Sequence, residues 1–160
     1  MGDFSQKILA QVFDWANDPK DFLFVYSTSG TGKTHLGCAV AKDLCSRGIN
    51  CGFVIGPEIF LRLRKSFDRN AIESEWDIIK KYRKPIVGVF DDICANGCKD
   101  YVVEAWYGII NHRYNECIPT MFTSNNSLSE ISEIMGDRIA SRLASGIVFE
   151  LKGEDRRLKK

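Results

Sequence analysis

The chain has 160 residues, and its 22 basic and 21 acidic residues give a formal net charge of +1. That length suits one compact domain, and the near-neutral charge points neither to nucleic acid nor to an acidic substrate. No apolar run reaches the roughly 18 residues of a membrane span, and residues 1–15 lack the basic start and apolar centre of a signal peptide. We expect a cytoplasmic protein with one domain over 1–160, comprising an N-terminal helix or leader (1–20) and a core (21–157).

The first predicted elements are a strand, a glycine-containing loop and a helix. Residues 22–26, FLFVY, form a continuous apolar run typical of a strand that is buried on both faces. Apolar residues then recur at helical spacing from about Thr34, and Gly48 provides a stop signal for this helix. A second strand is predicted near residues 50–55.

Two short helices are predicted after the second strand, with a break near Asn70. The first has apolar residues at helical spacing between 59 and 67. The second has Ile72, Trp76 and Ile79 at helical spacing, which places these three side chains on one apolar face.

The remaining apolar runs continue the alternation of strands and helices. Alternation with helices of about ten residues or more predicts βαβ units and a parallel sheet, so we expect an α/β fold. These runs predict, in order, a strand IVGVF after Pro85, a helix near 100–114, a strand at 118–124, a short helix near 128–135, the segment GDRIASRLASG and a last strand at 147–151.

The segment STSGTGKT matches the phosphate-binding loop pattern G-x-x-x-x-G-K-S/T, except that Ser27 replaces the first glycine. It lies between a buried strand and a helix start, where backbone N–H groups and the helix dipole point at phosphate oxygens. Lys33 would reach the β- and γ-phosphates, and the Thr34 hydroxyl would bind Mg²⁺. Because Gly30 and Gly32 are present, we expect a competent ATP site.

A carboxylate that serves Mg²⁺ is expected at the end of the neighbouring parallel strand, because this cation prefers hard oxygen ligands near the phosphates. The segment IVGVFDD supplies Asp91 at a strand end, followed by Asp92. We expect Asp91 on the metal side and Asp92 directed at the water that attacks the γ-phosphate. The alternative is that both aspartates simply lie in a polar turn.

Asn125 also follows a buried strand, and therefore belongs to the same edge of the sheet. Its amide would orient the attacking water or bind the γ-phosphate. Capping of the next helix is an equally good interpretation of Asn125, although Asn126 or Ser127 can take that role.

Arg138 and Arg142 lie four residues apart and therefore on one face of a predicted helical turn. An arginine directed at a γ-phosphate stabilises the charge that develops during phosphoryl transfer, and a neighbouring subunit can supply it. The residues alone favour another interpretation, a solvated helix face that includes Asp137.

The six cysteines are expected to be reduced thiols, mostly in the core, because the chain is not small and scatters them through apolar segments. Cys94 and Cys98 form the closest pair. A zinc site needs four ligands, and no second pair has suitable spacing, so we do not expect one here.

Several segments together carry a resemblance to a known family; they are YSTSGTGKTHLGCAVA, VGVFDDI, PTMFTSNN, and GDRIASRL followed by GEDRR. In this order and spacing they resemble the AAA+ ATPases of the bacterial helicase-loader group, the DnaC/DnaI-like proteins, with IstB-like transposition helpers as close relatives. The resemblance covers about residues 10–157. It implies a three-layer αβα P-loop NTPase with a RecA-like AAA+ core, a five-stranded parallel sheet and little or no helical lid.

The resemblance also implies roles for individual residues. Mg²⁺ would be served by Thr34 and Asp91. The ATP-binding positions would be Ser29, Gly30, Thr31, Gly32, Lys33, Thr34, His35 and Arg157. The catalytic positions would be Asp92, where the family has Asp or Glu, the γ-phosphate sensor Asn125, the arginine finger Arg142 and its helper Arg138.

The implied function is that of an ATP-hydrolysing module of a replication helicase loader. Such a module acts on a replicative helicase and single-stranded DNA, and self-associates through an arginine finger supplied in trans. Two basic clusters are candidates for DNA contact, although charge runs are usually solvated faces. They consist of Arg62, Arg64, Lys65 and Arg69 in one segment, and Lys80, Lys81, Arg83 and Lys84 in another.

Other interpretations stay open beside the loader. One is an IstB-like ATPase helper for DNA transposition. Another is a small-molecule P-loop kinase, which is disfavoured because such a kinase needs a substrate-binding lid. A third is an adaptor that binds ATP and a partner but hardly hydrolyses ATP. Loaders also carry an N-terminal region that grips the helicase, and few residues precede 22–26 here. We therefore expect an isolated ATPase module or a different action on the partner.

Overall fold

The computed structural model describes residues 3–94 and 99–153, in which a five-stranded parallel sheet lies between two layers of helices. The strands begin and end within two residues of the predicted runs, so the α/β class is confirmed. In the described ranges, no helix is both long enough and apolar enough to cross a membrane. The elements are α1 (Asp3–Asn17), β1 (Phe22–Tyr26), α2 (Lys33–Ser46), β2 (Cys51–Ile55), α3 (Gly56–Ser66), α4 (Glu75–Arg83), β3 (Val87–Asp91), α5 (Asp100–Asn115), β4 (Thr120–Ser124), α6 (Leu128–Met135), α7 (Asp137–Leu143) and β5 (Ile147–Glu150).

The strands are arranged in the order β2-β3-β4-β1-β5, and all neighbouring pairs are parallel. The prediction that the strand ending at Asp91 neighbours the strand before the phosphate loop is wrong, because β4 pairs with both of them. Local apolar patterns locate a strand but not its lateral place, which depends on how the crossover connections pack. The strand that leads to Asn125 therefore lies between the phosphate loop and Asp91.

Side chains along each strand alternate between two hydrophobic cores, as expected for a sheet that is covered on both faces. Phe24 and Phe90 belong to the core under α3 to α7, whereas Val25 and Val89 belong to the core under α1 and α2. Helix α1 lies within the expected N-terminal helix or leader, and its buried side chains belong to the same core as those of α2, β1 and β3. Its buried side chains are Ile8, Val12, Trp15 and Ala16.

Helix α4 buries a different face from the predicted one. Ile72 precedes the helix and is fully exposed, and more than half of Trp76 is exposed. The helix begins after Ser74, whose side chain forms a capping box with Asp77, so Ile72 has no helical register with the later residues. The face that packs on the core comprises Ile78, Ile79 and Tyr82.

A fully buried arginine joins two connections at the amino edge of the sheet. Arg113 donates from Nε to Thr120 Oγ1 (2.7 Å) and from its Nη atoms to the carbonyl oxygens of Pro85 (3.1 Å) and Pro119 (3.1 Å). Burial lowers the pKa of Arg113 to about 10, so the guanidinium stays charged at neutral pH. A Cβ at position Gly88 would lie 2.9 Å from Arg113 Nη2, so only glycine leaves room for this group.

The described cysteines are free thiols, but the expectation that most lie in the core is wrong. Cys94 is buried, and Cys51 is partly buried, with its pKa raised to about 11 by burial. An apolar segment of a helix still has a solvent face, and some cysteines lie on such faces or in a turn. Cys98 lies outside the described residues. The exposed thiols are Cys38, Cys45 and Cys117.

Candidate functional site

The loop between β1 and α2 lies at the carboxyl edge of the sheet. Gly30 and Gly32 have φ angles of 78° and 104°, a left-handed conformation that residues with a side chain rarely adopt. Gly32 is the N-cap residue of α2, and Lys33 and Thr34 follow in the first turn. Glycine has no side chain that could occupy the start of the helix, and a helix N-terminus is a favourable position for an anion.

Lys33 folds back onto its own loop. Its Nζ donates to the carbonyl oxygens of Ser27 (2.9 Å) and Thr28 (2.8 Å) and to Ser27 Oγ (3.0 Å). Ser27 Oγ also shares a hydrogen bond with Thr31 Oγ1, and all of Ser27, Thr31 and Lys33 are buried. The serine that replaces the first glycine of the pattern therefore contacts the lysine directly.

One hydroxyl fixes both aspartates at the end of β3. Asp91 is buried, and its Oδ1 accepts a hydrogen bond from Thr123 Oγ1 (2.6 Å). Thr123 Oγ1 in turn accepts from the backbone N–H of Asp92 (3.0 Å). Asp92 has a left-handed φ of 56°, so the chain turns sharply after Asp91. The two interpretations of these aspartates are therefore compatible: they lie in a polar turn, and both carboxylates line one cleft.

Asp92 and Asn125 are hydrogen-bonded to each other. Burial, and secondarily the charge of Asp91, raise the pKa of Asp92 above its usual range, while Lys33 opposes this shift. Asn125 donates from Nδ2 to Asp92 Oδ1 (2.9 Å) and so contacts the candidate base rather than a helix end. Ser127 caps α6 instead, which resolves the alternative interpretation of Asn125.

The cleft that these groups form has a volume of about 790 Å³. Its donors and acceptors fit nucleotide phosphates with Mg²⁺, because a lysine and the N-terminus of a helix lie beside hard oxygen ligands. Thr34 and Asp91 would hold the cation, and Asp91 Oδ2 has no hydrogen-bond donor among the described residues. When bound, Mg²⁺ would neutralise phosphate charge. The lining comprises Ser29, Gly30, Gly32, Lys33, Thr34, His35, Asp91, Asp92 and Asn125.

The predicted arginines lie elsewhere on the chain. Arg142 of α7 donates from Nε to Asn111 Oδ1 (3.0 Å), and its guanidinium lies over the rings of Tyr107 (5.2 Å) and Tyr114 (5.6 Å). Arg138 is exposed and lines a separate cleft of about 500 Å³ beside α5. Neither arginine lines the cleft that contains the phosphate loop of the same chain.

Some residues that hold the site in place were not predicted from the sequence. Thr123 was missed, although a Thr-Ser pair at the end of an otherwise apolar buried strand is a signal that could have found it. Gly56 was missed too: a Cβ there would lie 2.5 Å from the carbonyl oxygen of Asp92, so the start of α3 supports the Asp92 backbone. Arg157 lies outside the described residues, and its role stays a prediction.

Two curated relatives show where similar sequences occur. The chain is 28% identical over 148 residues to a protein of insertion sequence IS5376 from Geobacillus stearothermophilus that is named as ATP-binding, covering 89% of this chain and 57% of that protein. It is also 28% identical over 149 residues to the replicative helicase loader DnaI of Bacillus subtilis, covering 84% of this chain and 47% of that protein. The chain thus spans about half the length of these relatives.

The fold and the family are both established by comparison. A replication initiator DnaA, bound to AMPPCP and single-stranded DNA, superposes with a TM-score of 0.83 over 96% of this chain and 48% of that chain, at 19% identity. This likeness concerns the fold alone, and it confirms the α/β fold with a parallel sheet between helices. The family described as IstB-like ATP binding protein matches residues 3–160. The chain therefore belongs to the IstB-like ATP-binding protein family, in agreement with the resemblance seen in its motifs.

Proposed function

We propose that this chain is the ATP-binding and ATP-hydrolysing module of a DNA replication helicase loader, acting on a replicative helicase and single-stranded DNA. The observation that carries the proposal is the convergence of Lys33, Asp91, Asp92 and Asn125 on one cleft at the carboxyl edge of the sheet. Membership of an ATP-binding family supports ATP as the ligand, with Mg²⁺ as its companion ion. The similarity to DnaI supports the loader role.

Hydrolysis needs a base for the attacking water and compensation of the phosphate charge. Asp92 is the proposed base, because its carboxylate lines the cleft and its raised pKa makes it a better proton acceptor than an ordinary aspartate. Asn125 orients this carboxylate through their hydrogen bond of 2.9 Å. Lys33 compensates phosphate charge after exchanging a loop acceptor for a phosphate oxygen.

Arg142 is the proposed finger, supplied to the site of a neighbouring copy, with Arg138 as its helper. Among the described residues that line the cleft, Lys33 is the one lysine or arginine, so further positive charge has to come from elsewhere. Asn111 and the two tyrosine rings hold the Arg142 guanidinium in place on the surface of α5 and α7. A fixed, partly exposed guanidinium of this kind supports self-association through the site.

The surface around the α3–α4 connection is the proposed contact for single-stranded DNA. The first basic cluster lines a cleft of about 640 Å³ there, and Glu73 of the same lining forms ion pairs with Arg62 of this cluster and with Lys81 of the second. The half-exposed Trp76 lies beneath Lys80 and Arg83, so an aromatic ring and positive charge occur side by side, as in proteins that stack bases. Basic residues that line the cleft are Arg62, Lys65 and Arg69.

An ATPase helper for DNA transposition is the second candidate. The family match and the similarity to the protein of insertion sequence IS5376 favour it. The same cleft serves both functions, so the two proposals differ in the partner and not in the chemistry. Retention of a purified replicative helicase by the immobilised protein with ATP supports the loader. Retention of a transposase in place of the helicase supports the transposition helper.

Steady-state ATP hydrolysis at rising protein concentration, with and without single-stranded DNA, tests the proposed activity. We expect turnover per subunit to rise with concentration, because Arg142 completes the site of a neighbour. Arg142→Ala should leave nucleotide binding intact and lower turnover by about 1,000-fold or more, whereas Lys42→Ala, an exposed lysine of α2 outside the proposed sites, should not.

The same measurements separate the remaining alternatives. Turnover per subunit that stays flat as concentration rises, or normal turnover by Arg142→Ala, would contradict a shared site. Tight ATP binding without turnover under every condition would favour an adaptor. Turnover that requires a small acceptor molecule would favour a kinase.

A further inference from the structure

We propose that Ser27 is a positioning residue that holds Lys33 against its own loop and thereby weakens nucleotide binding. The inference rests on the proposed ATP site and concerns how that site is regulated. Ser27 occupies the position at which the phosphate-loop pattern has its first glycine, and a glycine has no side chain with which to contact Lys33.

The Ser27 hydroxyl lies at the centre of a small polar network inside the loop. Its Oγ accepts from Lys33 Nζ at 3.0 Å, shares a hydrogen bond with Thr31 Oγ1, and lies 3.2 Å from the carbonyl oxygen of Thr28. Thr31 Oγ1 also donates to that carbonyl oxygen, at 3.1 Å. Ser27 is 6% and Thr31 is 4% exposed, so the network is almost closed to solvent. Its hydrogen bonds are therefore made within the protein.

The ammonium of Lys33 is already well supplied with acceptors in this loop. A lysine ammonium has three N–H donors. The loop offers two carbonyl oxygens, from Ser27 and Thr28, and the Ser27 hydroxyl. To donate to a β- or γ-phosphate oxygen, Lys33 must therefore give up at least one of these acceptors.

Ser27 Oγ is the acceptor that Lys33 can release with the least disturbance. The carbonyl oxygens belong to the backbone, which is anchored by a hydrogen bond from the Ser27 N–H to the Ser124 carbonyl oxygen (3.2 Å). The Ser27 hydroxyl, by contrast, keeps Thr31 Oγ1 as a partner after Lys33 has left. The hydroxyl thus stabilises the arrangement in which Lys33 is bonded to its own loop, and its hydrogen bond to Lys33 is lost when phosphate binds.

Ser27→Ala tests this assignment through binding rather than turnover. We expect the variant to bind MgADP and the Mg²⁺ complex of the non-hydrolysable analogue AMPPCP about five-fold more tightly, the effect of one hydrogen bond that is lost from the empty state only. AMP has no β-phosphate for Lys33, so its affinity should not change. The nucleotide-free variant should also unfold at a lower temperature than the parent protein.

Thr31→Val is the matched control, because it removes a buried hydroxyl from the same network with little change in volume. It takes away the partner that Ser27 Oγ keeps after Lys33 leaves, so it should weaken MgADP binding. General damage to the loop would weaken binding in both variants. Ser27→Gly gives the same test should Ser27→Ala fail to fold, although the added backbone freedom lowers the expected gain.

The outcomes for Ser27 and for the ATP site can be told apart. Tighter binding of MgADP by Ser27→Ala, with AMP unchanged, supports the positioning role. Equal or weaker binding overturns it, provided that the parent protein binds MgADP and Lys33→Ala does not. Failure of the parent protein to bind nucleotide overturns the proposed ATP site and this inference together.

Discussion

Two buried cations lie at opposite edges of the same sheet, and they differ in which segments of the chain supply their hydrogen-bond acceptors. Lys33 lies at the carboxyl edge and Arg113 at the amino edge, with 7% and 0% of their surfaces exposed. Backbone carbonyl and hydroxyl oxygens accept from both of them. The acceptors of Lys33 that lie in the phosphate loop belong to two consecutive residues, whereas those of Arg113 come from the separate connections 82–85 and 118–120.

This difference predicts that one cation serves ligand binding and that the other serves the stability of the fold. Lys33 can exchange loop oxygens for ligand oxygens without separating any helix or strand from the rest of the fold. Arg113 cannot leave without releasing the connections that precede β3 and β4, and its guanidinium also lies 5.7 Å from the ring centre of Phe90. We therefore expect Lys33 to control binding with little effect on stability, and Arg113 to control stability with little effect on binding.

Removal of Lys33 should give the largest effect. Lys33→Ala is expected to weaken MgADP binding at least about 100-fold, because charge-assisted hydrogen bonds to phosphate are lost from a site with no other lysine or arginine in its described lining. The melting temperature should fall only slightly, since the freed oxygens belong to one loop and no helix or strand is released from the fold. Lys42→Ala, an exposed lysine of the same helix, is the control for titration and melting. Equal affinities in both variants would contradict the role of Lys33.

A substitution of Asp92 tests the role of the carboxylates at the carboxyl edge of the sheet. Asp92→Asn should lower ATP turnover by about 100-fold or more, because the general base is lost, while nucleotide binding persists. Asparagine also tolerates the left-handed φ of 56°, so the backbone turn should be kept.

The raised pKa of Asp92 predicts that this variant is more stable near neutral pH. A carboxyl group with a raised pKa in the folded state contributes stability at low pH that is lost as the pH rises through that pKa. Replacement by asparagine removes this loss, so the gain should appear near pH 7 and disappear in acid. The gain should stay below about 1 kcal/mol, because solvent screens the partly exposed group. Denaturant unfolding at both pH values measures it, and a variant that is less stable at pH 7 would contradict the proposed cause.

Removal of Arg113 should have the opposite effects to removal of Lys33, namely a large loss of stability and little change in nucleotide affinity. Arg113→Met keeps much of the side-chain volume but leaves Thr120 Oγ1 and several carbonyl oxygens without their donor, so we expect a loss of about 3 kcal/mol in the free energy of unfolding. Arg113→Lys keeps the charge but not the planar set of donors, and it should be intermediate. Denaturant unfolding gives the stability, and titration below the transition should show nearly unchanged MgADP affinity. A stable variant that fails to bind nucleotide would break the comparison.

The parts of the fold that the sequence predicts are those set by local patterns. The run FLFVY and the strand before Asp91 are continuous apolar segments, so their ends are visible without a structure. The insertion of β4 between β1 and β3 is not visible, because lateral order depends on the packing of helices between distant segments. The exposed Ile72 shows the same limit at short range, since a cap at Ser74 overrides the spacing of apolar residues.

The candidate site divides in the same way. Asp91 and Asp92 could be predicted because parallel strands bring their carboxyl ends to one edge. Thr123 ends its strand with a visible polar signal, but its bonds to both aspartates could not be predicted, since they depend on β3 and β4 lying side by side. The burial of Arg113 could not be predicted for a related reason. Nothing in the sequence of α5 distinguishes this arginine from one on the surface, and its burial is favourable only because distant carbonyl oxygens are arranged around it.

The smallest effect is expected for two exposed cations that are bonded to a carboxylate, because such surface ion pairs are weak. Glu73 bonds Arg62 of α3 (2.7 Å) and Lys81 of α4, and these two contacts lower its pKa, with Lys81 as the larger cause. Glu73→Gln should remove the ion pairs of both cations with little change in melting temperature, although Arg62 keeps its hydrogen bond to the Tyr82 hydroxyl. If the α3–α4 surface binds single-stranded DNA, affinity should rise. The slope of log affinity against log salt should also steepen by up to about 1.4, or roughly 0.7 for each new phosphate contact.

A control on α3 distinguishes release of these cations from a general change of charge. Glu58→Gln removes one negative charge from an exposed position that makes no ion pair among the described residues. It should raise DNA affinity less than Glu73→Gln and leave the salt slope nearly unchanged, as measured by anisotropy titration of a labelled oligonucleotide. Equal slopes in the two variants would mean that Glu73 does not withhold Arg62 and Lys81 from phosphate. These cations would then differ from Lys33, which has to exchange its partners before it can bind.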